Sequence, residues 1–67
     1  MTDEQLHDLA DVQDAIFHLR RARDLLKRAG AKRTVARVRL AITSAGGAER
    51  HARLAPFREA RQARRGA

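Results

Sequence analysis

Five cations crowd around one glycine in this chain: Lys27, Arg28, Lys32, Arg33 and Arg37, with Gly30 between them. Lys32 and Arg33 fall where a second helix would begin, with its first amide N–H groups free and its dipole positive. Free amides joined by basic side chains make a site for an anion, here the repeated phosphates of a nucleic-acid backbone. Arg20 and Arg23 carry the same charge back along the preceding segment, at helical spacing from Lys27. Arg20, Arg23, Lys27, Arg28, Lys32, Arg33 and Arg37 are therefore the candidate nucleic-acid contacts. Arg39, Arg50, Arg53, Arg58, Arg61, Arg64 and Arg65 extend the positive field. Such a surface binds in a salt-dependent and sequence-tolerant way. Phe17 and Phe57 are the only aromatics, so a base-stacking platform for single strands is not expected. Duplex DNA or structured RNA is the expected ligand. The competing reading of the same cluster is a solvated charged end in an arginine-rich protein.

Other chemistry finds less support. His7 and Asp11 lie one turn apart, and a chain folded back on itself would bring His51 towards them, a set that could hold zinc. No fourth ligand is in view, and a polar end of the molecule, with no metal and no cofactor, is expected instead. Ser44 has no base close to it in the folded-back register, and no pair of carboxylates is placed in an apolar pocket. Two helices also enclose almost no cavity, so neither an enzyme nor a small-molecule substrate is expected. Gly30-Ala31-Lys32-Arg33-Thr34 lacks the first glycine, the spacing and the preceding strand of a phosphate loop.

The elements that must position these residues are helical. Thr2-Asp3-Glu4-Gln5 has the form of a capping box, with two acids in the first turn. Leu9, Val12, Ile16, Leu19 and Leu26 follow at steps of three and four, with Ala15, Ala22 and Ala29 beside them. Arg23 occupies the slot between Leu19 and Leu26, so the stripe does not read as a clean coiled-coil seam. Lys27 and Arg28 suit a last turn, and Gly30 suits a left-handed cap. A second stripe runs through Val35, Val38, Ala41, Ile42, Ala45, Ala48 and Ala52. Folding back at Gly30 sets large residues of the first stripe against small ones of the second. It also puts Asp8 and Asp11 beside Arg50 and Arg53. Gly46-Gly47 costs a helix about 2 kcal/mol relative to alanine. The period and the Glu49–Arg53 spacing favour continuity through it over a helix end at Ala45. Pro56 is expected to stop the second helix, because it pushes Ala55 from helical angles.

The expected fold is all-α: an antiparallel two-helix hairpin with helices at about 3–29 and 32–54. Residues 1–55 form the hairpin, and 56–67 form a basic C-terminal tail, either a short helix or disordered. At 67 residues without cysteine, neither a large core nor disulfides can stabilise it, so self-association is expected. Leu6, Phe17, Leu25 and Leu40 lie off the stripes, and burying them would pair hairpins into a four-helix bundle or higher oligomer.

Charge is divided along the chain. Residues 1–19 hold five acids and no Lys or Arg, whereas residues 20–67 hold all 15 Lys and Arg against three acids, which gives the net +7. An acidic head on a basic body fits a polyanionic partner or the pairing of head with body between copies. The second possibility makes an assembly module the alternative function. No apolar run is long enough to span a bilayer, and Met1-Thr2-Asp3-Glu4 leads into no signal core. No membrane partner and a cytoplasmic location are expected.

Overall fold

The computed structural model describes residues 1–66. Two helices, α1 (Asp3–Arg28) and α2 (Lys32–Gly66), pack against each other as a hairpin. The result is a flat rod with Cα extents of 56 × 20 × 9 Å. Its thickness is that of a single layer of helices.

The start of α1 forms as its sequence dictates. The Thr2 hydroxyl accepts from the Gln5 amide at 3.2 Å, and the Gln5 side chain accepts from the Thr2 amide at 2.9 Å. Two otherwise orphaned donors are thereby satisfied, and Asp3 and Glu4 lie at the positive end of the dipole. The reversal is equally local. Gly30 adopts φ +75°, a conformation that its lack of a Cβ makes accessible. Its amide donates to Lys27 O, and the amide of Ala31 donates to Leu26 O. That pair of bonds is a Schellman cap, and it ties off the last carbonyls of α1. Ala31 O then accepts from Val35 N at 2.9 Å, the first helical bond of the return.

The seam between the helices is more regular than the sequence reading expects. The less exposed positions of α1 include Gln5, Leu9, Val12, Ile16, Leu19, Arg23 and Leu26; those of the returning limb of the hairpin include Ala31, just before α2, and Val35, Val38, Ile42, Ala45, Glu49, Ala52 and Pro56 within it. Steps of four and three alternate without a break, as they do in a coiled coil. Ala41 and Ala48, expected to face inward, are exposed, while Arg23 and Glu49 take seam positions. The long stems of these two residues cover apolar surface while their charged heads reach water. In this register Leu26 lies level with Val35, Leu19 with Ile42 and Ile16 with Ala45. Ile16 and Val35, each 7 % exposed, are the only buried side chains among the described residues.

The second helix also outruns the sequence reading. It continues through Gly46-Gly47, as expected, but it does not stop near residue 54; it passes through Pro56 to Gly66. Pro56 cannot donate to the carbonyl of Ala52 and crowds it. Three features offset that loss. The flanking run Ala55, Arg58, Glu59, Ala60, Arg61, Gln62, Ala63 consists of strong helix formers. Pro56 is half-buried at the seam, level with Gln5. One turn beyond it, Gln5 Nε2 donates to Glu59 Oε1 at 2.9 Å and pins α2 to the first turn of α1. Residues 56–66 are thus the last turns of α2 rather than a separate tail, and Ala67 lies outside the described residues. At 1.5 Å per residue, α2 exceeds the 26-residue α1 by roughly 13 Å, so its end projects past the start of α1 as an arm. No helix among the described residues is long and apolar enough to cross a membrane.

Candidate nucleic-acid interface

The regular seam sorts the cations by position. Lys27 and Lys32 each follow a seam residue on the same side of the rod, and Arg39 lies two turns after Lys32 on that side. These three side chains line one groove, floored by Gly30, Ala31 and Val35. Arg20 stands two turns before Lys27 on the same side. Four cations therefore share one broad side near the turn, and α2 has no acid in its first turn to neutralise them.

The other candidate residues are placed differently. Arg28 and Arg33 occupy the outer edges of their helices at the turn, exposed and able to add to the field. Arg37 lies towards the opposite broad side. Arg23 is drawn into the seam, where its Nε binds Asp24 Oδ1 at 3.1 Å. That bond engages its charge, so Arg23 is the weakest of the set. Arg39 is the residue that sequence reasoning left outside the site. The signal for it was its spacing of seven from Lys32, two full turns along one helix face.

Lys27, Arg28, Lys32, Arg33, Arg37 and Arg39 make no ion pair among the described residues. The only other pair is Arg53 Nη2 with Glu49 Oε1 at 2.8 Å, one turn apart on α2. This corrects the expectation that Asp8 and Asp11 would meet Arg50 and Arg53: Arg53 turns to its own helix. The six free cations are held on helices rather than loops, and Lys27, Lys32 and Arg39 set their like charges around one groove. Such an arrangement is costly in isolation and favourable when an anion lies across it.

The far end of the rod carries a different surface. A groove of about 510 Å³ runs between the helices there, lined by Thr2, Glu4, Gln5, Asp8, Val12, Ala48, His51, Ala52, Ala55 and Glu59. Its floor is apolar and its rim largely acidic. His51 faces this groove, with its Nδ1 bonded to the Arg58 guanidinium. His7 lines a shallow surface with Asp3, Leu6 and Ala10 instead. His7 and His51 are thus not brought together, and no group of three metal-ligating side chains forms among the described residues. Ser44 is exposed on α2.

Comparison of the chain with protein-family models, curated proteins and solved structures finds no match.

Proposed function

We propose that this protein is a small homo-oligomeric helical hairpin that binds duplex DNA or structured RNA through phosphate-backbone contacts at its turn. The observation that carries the reading is the groove at the turn, where Lys27, Lys32 and Arg39 stand around the start of α2 with no carboxylate partner. Arg20, Arg28 and Arg33 widen the contact. Phosphate oxygens would accept from these side chains and from the first free amides of α2. No base-reading group is called for, so binding is sequence-tolerant.

The test is affinity for a short duplex, measured by fluorescence anisotropy across a salt series. The logarithm of the association constant should fall linearly with the logarithm of salt, by about 0.9 for each phosphate neutralised on B-form DNA. Replacing Lys27 and Lys32 by Glu should weaken binding at least tenfold and flatten the slope by about 2, with helix content unchanged by circular dichroism. Absence of binding at low salt, or a slope that these substitutions leave alone, removes the reading.

The alternative is an assembly module whose charges serve subunit contacts. Its support is a core of only Ile16 and Val35 beneath several exposed large apolar side chains. Sedimentation before and after nuclease treatment separates the two, because an assembly module keeps its size without nucleic acid.

A further inference from the structure

We propose that the arginine arm of α2 docks in the acid-rimmed groove of a second copy, joining two hairpins open end to open end. The arm is the projecting segment beyond Glu59, and it carries Arg61, Arg64 and Arg65. Arg61, Gln62 and Arg65 share one exposed face of it, continued back to Arg58 at its root. None of these arginines is paired to a carboxylate among the described residues. The groove is their complement. Glu4, Asp8 and Glu59 stand around a floor of Val12, Ala48, Ala52 and Ala55, small enough in its side chains for another helix to come close.

Only the root of this arginine face touches its own groove, where the Arg58 guanidinium bonds His51 Nδ1. α2 is one continuous helix, so beyond Glu59 the arm runs out past the start of α1 and away from the groove that its own chain forms. Where α2 does reach the first turn of α1, the contact is Gln5 with Glu59, an amide with an acid, and it leaves the head carboxylates and the arm guanidiniums unmatched. The match therefore lies in another molecule.

A two-fold axis at the open end satisfies both partners at once. The arm of each copy then runs parallel to the α1 of the other. Arg61 and Arg65 are one turn apart, and so are Glu4 and Asp8, which lets two helices lying side by side pair both sets in one register. The contact is reciprocal, as a two-fold interface requires. Met1, Leu6, Leu54 and Phe57, all exposed, cluster around this end and are available to the joint. The turn grooves remain open at the two far ends, so this pairing neither needs nor blocks the contact proposed above for nucleic acid.

The test uses sedimentation velocity on the full nuclease-treated chain. A dimer is expected at low salt, weakening as salt rises. Arg61→Glu with Arg65→Glu in one variant, and Glu4→Lys with Asp8→Lys in another, should each give monomers. An equimolar mixture of the two should form dimers again, since the reversed arm of one then meets the reversed groove of the other and the unchanged arm meets the unchanged groove. The neutral variant Arg61→Gln with Arg65→Gln should raise the dimer dissociation constant at least tenfold while keeping wild-type helix content. A monomeric wild-type chain overturns the proposal, and so does a dimer indifferent to the arm variants or a mixture that fails to reassociate. A monomer whose duplex affinity falls with the arm variants assigns the arm to nucleic acid instead. A loss of duplex binding alone, with the mixing result intact, leaves this joint standing and removes only the turn as a phosphate site.

Discussion

The two ends of the hairpin are held together by different physics. At the turn, a three-residue connection closes the helices and a Schellman cap satisfies the carbonyls of α1. The seam there pairs branched aliphatic residues, with Val35 buried and Leu26 level with it. At the open end the seam sets Leu9 and Val12, both only half-buried, among Gln5, Glu49, Ala52 and Pro56, and the side-chain tie between helices is one exposed hydrogen bond. Charge follows the opposite rule. The well-packed end gathers unpaired cations, while the loosely packed end holds acids on α1 and arginines on α2 that do not pair within the chain. Rigid packing is what can hold like charges together without an anion present. Where packing is thin, charge pairing between molecules is the remaining source of stability.

The largest expected effect breaks this contrast at its strong end. Val35→Ala removes part of one of the two buried side chains and should destabilise the hairpin by about 2 kcal/mol. Leu9→Ala, at a half-exposed seam position towards the open end, should cost less than Val35→Ala despite deleting more atoms. Urea melts followed by circular dichroism measure both; the reverse order would show that the open end, not the turn, carries the core. The next effect is a gain. Gly46→Ala should stabilise α2 by about 1 kcal/mol, since a Cβ there meets nothing within 4 Å and φ is unremarkable. A loss instead would mean that another backbone packs against Gly46 in solution.

Much of this division was legible in the residues. The capping box and the glycine reversal each have a local cause, and each formed where its cause lies; the large-against-small pairing held only in part, since Ala41 and Ala48 turn outward and Leu19 lies level with Ile42. The ends of the second stripe were less legible, because an apolar pattern cannot show that Arg23 and Glu49 lend their methylene stems to a seam. Their strict alternation of four and three with Leu19, Leu26, Ala45 and Ala52 was the available signal. Pro56 misled for a related reason. A helix stop is a local penalty, whereas the features that offset it include a contact made 54 residues away in sequence, that of Gln5 with Glu59. Of the candidate site, Lys27 and Lys32 were found from charge and turn alone. The side-by-side placement of Arg39, and the withdrawal of Arg23, required the seam register.

The smallest effect sharpens the comparison most directly. Gln5 serves twice: its oxygen accepts from the Thr2 amide, and its Nε2 donates to Glu59. Gln5→Glu keeps the acceptor of the capping box, and a carboxylate at this position suits the helix dipole. It also replaces the donor to Glu59 with a like charge. Gln5→Ala removes both functions. If the open end is held mainly by the bond to Glu59, the two variants should lose similar amounts, about 0.5–1 kcal/mol, since the bond is exposed. Hydrogen exchange should then quicken in residues 57–65 while the amides around Leu26 and Val38 keep their protection. Should Gln5→Glu instead be as stable as wild type, the capping box alone holds the start of α1, and Pro56 is carried by the helix formers around it.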